Sequence, residues 1–158
     1  MHRVFSRRVA IIALSSLSAL LGVSPLMAAG TDPWTKAELI SPESLNKLLS
    51  ETTGAKPPLI YVGFRTLYVQ GHIPGSVYYG TGAMPEGLGE LRKHVQAFPR
   101  TKMIILYCGC CPWDQCPNIR PAFQALKQMG FTRVRVVSIP DRLSVDWAAK
   151  GYPLEKGE

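Results

Sequence analysis

The sequence predicts an α/β domain: a parallel sheet with helices on both faces. Three features carry this reading: short apolar runs rich in β-branched residues, segments with apolar residues at helical spacing, and the alternation of the two along the chain. Leu59-Ile60-Tyr61-Val62-Gly63-Phe64, Met103-Ile104-Ile105-Leu106-Tyr107 and the segment from Val134 to Ile139 are the strand candidates. Their apolar side chains run on without alternating, as in strands buried on both faces. Ser76-Val77-Tyr78-Tyr79 is a further strand, with Tyr78 and Tyr79 dividing between the two sheet faces. Right-handed crossovers leave few topologies for such a chain, and ligands of open α/β sheets sit beyond the carboxyl ends of the strands.

The helices follow from punctuation as much as from periodicity. After a short polar entry from Gly30 to Lys36, Ser41-Pro42-Glu43 reads as an N-cap, a first-position proline and a first-turn acid. A helix over Pro42 to Ser50 then buries Leu45, Leu48 and Leu49. Thr52 to Pro58 is a loop, and Gly71-His72-Ile73-Pro74-Gly75 is a turn whose histidine is satisfied by backbone rather than catalytic. Leu88, Leu91, Val95 and Phe98 define a helix from Glu86 to Phe98, ended by Pro99. Ile119, Phe123, Leu126 and Met129 define another, closed by Gly130. Pro121 is tolerated only in the first turn of that helix, where N–H groups have no intrahelical partner, so Asn118 is its expected N-cap.

The chain has 158 residues, 46% hydrophobic and 18% charged, which suits one core and excludes a coiled coil or a disordered chain. Its formal net charge of +7 includes Arg3, Arg7 and Arg8, and the other cations are scattered. That pattern is a solvated surface, not a nucleic-acid footprint. The three arginines precede an apolar run from Val9 to Val23 and a small-residue stretch ending at Ala28-Ala29. This is the layout of a signal peptide over residues 1–29, followed by a domain over residues 30–158 that acts outside the cytoplasm, in a periplasmic or similar compartment. The run is short for a membrane span, which takes about 20 residues. An uncleaved anchor is the other reading, because Leu26 or Met27 would precede the cleavage point where a small residue is usual; only then would a membrane be a partner. Ser6-Arg7-Arg8 resembles the start of a twin-arginine signal, but Ala10 stands where an aromatic is usual.

All four cysteines fall in Cys108-Gly109-Cys110-Cys111-Pro112-Trp113-Asp114-Gln115-Cys116-Pro117-Asn118, between the strongest strand and a helix. Loop N–H groups and a helix N-terminus favour an anion there, so Cys108 is expected to ionise readily and act as nucleophile. Gly109, Trp113, Asp114, Gln115 and Asn118 would supply the anion-binding backbone; Arg120 is a plain surface cation on the favoured reading and a steering group for an anionic donor on the other. Cys108 and Cys111 have the C-x-x-C spacing of a redox pair. Pro112 and Pro117 hold Cys111 and Cys116 extended and available. Two other readings stand beside this one. The four thiols could pair into structural disulfides, although the loops closed are short and Cys110-Cys111 could pair only with strain. They could also hold a metal; with no histidine nearby and no zinc spacing, copper(I) would be the fitting ion.

Taken together, residues 39 to 158 resemble the rhodanese domain. Leu59-Ile60-Tyr61-Val62, Tyr68 and Gly71-His72-Ile73-Pro74-Gly75-Ser76 match its first strand and G-H-I-P-G-A stretch. Ile104-Ile105-Leu106-Tyr107-Cys108 resembles the strand that delivers the catalytic cysteine. Gly130-Phe131 with Val134, then Trp147 and Gly151-Tyr152-Pro153-Leu154, match its closing elements. The resemblance implies sulfur transfer without a cofactor: the Cys108 thiolate takes the outer sulfur of a small donor, and a thiol, including a protein thiol, or cyanide removes it. The chain departs from the family in four places. Its loop is several residues longer; residues 109 to 119 carry only Asp114 as a charge; Tyr61 and Gly63 replace the usual Asp and Arg; and Ser138 to Arg142 lacks a glycine pair. These argue against fast turnover of thiosulfate. The extra thiols Cys110, Cys111 and Cys116 suggest a redox-gated sulfur carrier. A non-catalytic binding domain, its cysteines holding a metal ion or structural disulfides, is the alternative.

Overall fold

The computed structural model describes residues 32–158; the signal-peptide expectation and its cleavage point lie outside them. The sheet has five parallel strands: β1 (Leu39–Ile40), β2 (Leu59–Tyr61), β3 (Ser76–Tyr78), β4 (Ile104–Tyr107) and β5 (Val134–Val137). Their order is β1-β5-β4-β2-β3, which places β4 at the centre. Five α-helices surround the sheet: α1 (Pro42–Ser50), α2 (Arg65–Gln70), α3 (Pro85–Val95), α4 (Ile119–Gln128) and α5 (Leu143–Asp146).

Two apolar layers follow from the period-two geometry of the strands. Ile104, Leu106 and then Cys108 face the layer formed with Leu91 and Val95 of α3 and Ile119, Phe123 and Leu126 of α4. Ile105 and Tyr107 face the other layer, with Leu45 of α1, Tyr68 of α2, Leu143 and Trp147. Tyr78 packs into this second layer and Tyr79 against the first, as expected for neighbours on an edge strand. Trp147 is fully buried and donates its indole N–H to the Pro153 carbonyl, 2.8 Å away. Among the described residues no helix is long and apolar enough to cross a membrane.

Local chemistry explains which expected elements form. α1 spans the expected residues, and the Ser41 hydroxyl accepts from the Ser44 N–H at 3.1 Å. The strand expected over 59–64 leaves the sheet after Tyr61, and the segment beyond becomes α2, which the sequence reading left unassigned. α2 has no side-chain cap. Tertiary contacts hold it: Tyr68 donates to the Ser76 carbonyl at 2.6 Å and stacks on His72 at 3.9 Å. His72 is itself buried, its Nδ1 2.9 Å from the Tyr68 carbonyl, in keeping with a structural turn histidine. α3 starts at Pro85 and stops at Val95, short of Phe98, and β5 ends at Val137 rather than Ile139. β1 and α5 were also unassigned, being only two and four residues long.

Tyr107 ties the central strand to the turn after α2. Its hydroxyl accepts from the Ile73 N–H at 3.1 Å and lies 2.7 Å from Ser76 Oγ, in a buried setting. Tyr107→Phe would leave both groups without that partner, a loss of about 1–3 kcal/mol. Urea unfolding is expected to show a lower midpoint with an unchanged slope; an unchanged midpoint would count against this tie.

A thiol cluster at the carboxyl edge of the central strand

Cys108 follows β4 directly, and Asn118 precedes α4. The loop between them folds back so that its thiols converge. Cys108 Sγ lies 3.1 Å from Cys110 Sγ, which lies 3.2 Å from Cys111 Sγ and 4.0 Å from Cys116 Sγ. The sulfurs of Cys108, Cys110 and Cys116 are all within 4.8 Å of one another, a set able to hold a soft metal ion. All four cysteines are free thiols, Cys108 and Cys116 each 4% exposed.

Specific residues hold this conformation. Gly109 has φ +71°, and its carbonyl accepts from the Leu143 N–H at 3.0 Å; a Cβ there would lie 2.9 Å from Leu143 Cβ, so only glycine fits. Cys116 is extended (φ −74°, ψ 113°), as its following proline requires. The Arg120 guanidinium donates to the carbonyls of Trp113 at 2.9 Å and Cys116 at 3.2 Å, and pairs with Asp32 at 2.7 Å. Arg120 is therefore a brace for the loop, not the donor-steering cation the sequence suggested.

Two further expectations are corrected. Asn118 occupies the N-cap position of α4, but its side chain caps nothing. Its Oδ1 accepts from the Ala83 N–H at 3.0 Å, which aims Nδ2 at Cys108 Sγ (3.7 Å) and Cys110 Sγ (3.6 Å). Gly82 permits this close approach, since a Cβ there would lie 2.1 Å from the Asn118 carbonyl oxygen. The loop N–H groups do not wrap Cys108 either. Those of Trp113, Gln115 and Cys116 go to the carbonyls of Pro140, Pro112 and Trp113, while the Asp114 and Gln115 side chains stand exposed.

The helix N-terminus serves a different sulfur. The Cys108 and Cys110 thiols favour the charge on Cys116 most, and the N–H groups of Asn118 and Ile119 add to that against burial, so Cys116 is held far below the ordinary thiol range. Cys108 moves the other way: donation toward Cys110 and Cys116, together with burial, pushes its thiol up, against the expected ready ionisation. Cys110 is also raised: the Cys108 thiol favours its charge, but Cys116 and burial outweigh that. Burial and Cys110 push Cys111 up to about 12. Within the reduced cluster, negative charge is thus favoured on Cys116 and disfavoured on Cys108.

Cys108 and Cys110 form part of the floor of a groove of about 360 Å³ walled by Tyr61, Leu67, Leu143 and Leu154. Exposed Arg142, just before α5, lines the same groove. No local signal in the sequence marks Arg142, which lies beyond β5 and far along the chain from the cysteine loop. Trp113 faces inward, stacked near Trp34 at 5.4 Å, with its indole N–H buried and unpartnered.

The charge assignment has a direct readout. Reduced protein at neutral pH is expected to show the ultraviolet absorbance of one thiolate, because the Cys116 pKa lies below that pH. Acid should remove it as pH falls through that value, and mild alkali near the ordinary thiol pKa of about 8.5 should add no step from Cys108 or Cys111. Cys116→Ser should abolish the neutral-pH signal and Cys108→Ser should leave it; the reverse pattern would overturn the assignment.

The rhodanese-like domain model matches residues 41–138. Among solved structures, the chain is similar to the Alr3790 protein from Anabaena sp., with TM-score 0.57 and 20% identity over 74% of this chain and 82% of that one. It is likewise similar to the BH2092 protein from Bacillus halodurans, with TM-score 0.57 and 19% identity over 74% and 75%. A thiosulfate sulfurtransferase from Pseudomonas aeruginosa matches with TM-score 0.51 and 18% identity, over 76% of this chain and 20% of that one. No curated protein matches the chain. These structural likenesses are of fold, and the family match covers more than half of the sequence: the chain belongs to the rhodanese-like domain family.

Proposed function

We propose that this domain carries sulfur as a persulfide on Cys108 and that Cys110 resolves it. The observation that carries the reading is the pairing of the two sulfurs, 3.1 Å apart, on the floor of one groove at the end of the central strand. The buried Cys108 thiol must lose its proton before it attacks, and the neighbouring Cys116 sulfur, whose charge is strongly favoured, is too weak a base to take it. The Cys108 proton passes to solvent at the groove, and the Cys108 thiolate attacks the outer sulfur of an anionic donor drawn in by Arg142. The donor's S–S bond breaks, its remainder leaves with the bonding pair, and Cys108 keeps the sulfur as a persulfide. Asn118 Nδ2 is placed to donate to the charge that develops there.

Two exits follow. A thiolate acceptor attacks the outer sulfur and restores the Cys108 thiolate. Otherwise Cys110 attacks the inner sulfur: the Cys108–Cys110 disulfide forms, the outer sulfur leaves as sulfide, and the two electrons it gains come from the two thiols. An external dithiol must then reduce the disulfide, so turnover is redox-gated. A role outside the cytoplasm, expected from residues 1–29, would place the domain where such disulfides persist.

After exposure to thiosulfate or an organic persulfide, mass spectrometry is expected to find one added sulfur on Cys108, absent in Cys108→Ser. Cys110→Ser should keep the added sulfur and lose the disulfide. Thiocyanate release should depend on added dithiol in the wild type and not in Cys110→Ser; equal rates with and without dithiol in the wild type would remove the gating.

A further inference from the structure

We propose that Cys108, Cys110 and Cys116 form a binding site for copper(I) in threefold thiolate coordination. An ion equidistant from three sulfurs at a metal–sulfur distance of about 2.3 Å needs sulfurs separated by about 4 Å. The observed separations, 3.1 Å and 4.0 Å with none of the three above 4.8 Å, bracket that value. Small side-chain rotations therefore complete the site. Cys111, although its sulfur is 3.2 Å from that of Cys110, stands outside the group.

The donor set selects the ion. It contains three thiols and neither imidazole nor carboxylate, and soft sulfur ligands favour copper(I). Structural zinc takes four ligands, and this site has three. Cys108 and Cys116 are 4% exposed, and Cys110, partly exposed, leaves the site open on the groove side only.

Charge is also provided for. Three thiolates around a monovalent ion leave an excess of negative charge. Asn118 Nδ2 faces Cys108 and Cys110 at 3.7 Å and 3.6 Å, and the first N–H groups of α4 face Cys116. Binding replaces thiol protons with the ion and transfers no electrons. It also occupies the sulfur that would take up a persulfide, so copper and sulfur compete for Cys108. The site does not depend on the sulfur-transfer reading.

The test is an anaerobic titration of the reduced protein with copper(I) against a chromogenic copper(I) chelator. One ion per chain is expected, with a thiolate-to-copper ultraviolet band and three sulfur neighbours in X-ray absorption, a readout that needs no variant. Cys110→Ser and Cys116→Ser, checked for folding by circular dichroism, should weaken binding at least about tenfold, and Cys111→Ser should leave it close to wild type. Failure to compete with the chelator, a fourth sulfur neighbour, equal damage from Cys111→Ser, or displacement by equimolar zinc(II) would each overturn the proposal. Sulfur loading of Cys108 in the metal-free protein reads the sulfur-transfer proposal separately: loading without copper binding defeats only the copper site, and copper binding without loading defeats only the transfer.

Discussion

The end of β4 and the start of α4 lie side by side, and the loop between Cys108 and Asn118 must double back to join them. Every other feature of the site follows from that constraint. Doubling back brings the thiols together, and the position of the helix decides which sulfur meets its N-terminal N–H groups. Cys116, two residues before the cap position, receives them, and Cys108, at the strand end, does not. The Cys108 and Cys110 thiols favour charge on Cys116 most, and these N–H groups add to it. Gly109, Arg120, Gly82 and the turned amide of Asn118 keep the loop in the one shape that permits this.

A buried thiol is a poor nucleophile until it loses its proton, and burial alone works against that loss. The Cys116 thiolate beside it does not relieve this, because the same contacts that favour its charge make it a weak base, so deprotonation of Cys108 is the costly step. The groove over Cys108 and Cys110 is lined by exposed Arg142 and by the apolar side chains of Leu67, Leu143 and Leu154.

The sequence carries the elements whose signals are local. The Ser41-Pro42 start of α1, the apolar stripe of α4 and the continuous run of β4 are each written in neighbouring residues, and each stands where expected. Elements held by distant contacts are not written that way. α2 has no cap and buries only Tyr68, so its stability comes from Ser76 and His72, which no residue within the helix announces. The site divides likewise. The sequence marks the cysteines and their place at a strand end, yet two of its readings fail for tertiary reasons. Asn118 has the right identity for a cap but finds the Ala83 N–H instead, and Arg120 has the right charge for steering but is engaged by Asp32 and the loop carbonyls. Arg142 reaches the groove from beyond β5, a proximity that only the folded sheet creates.

The central claim is that one shared charge, resting on Cys116, sits beside a protonated Cys108. Carbon-13 NMR of the cysteine Cβ resonances across a pH titration of the reduced protein tests it residue by residue. The account requires the Cys116 signal to report thiolate at neutral pH while the Cys108 signal reports thiol. A Cys108 signal that becomes thiolate first, with Cys116 still protonated, would contradict it.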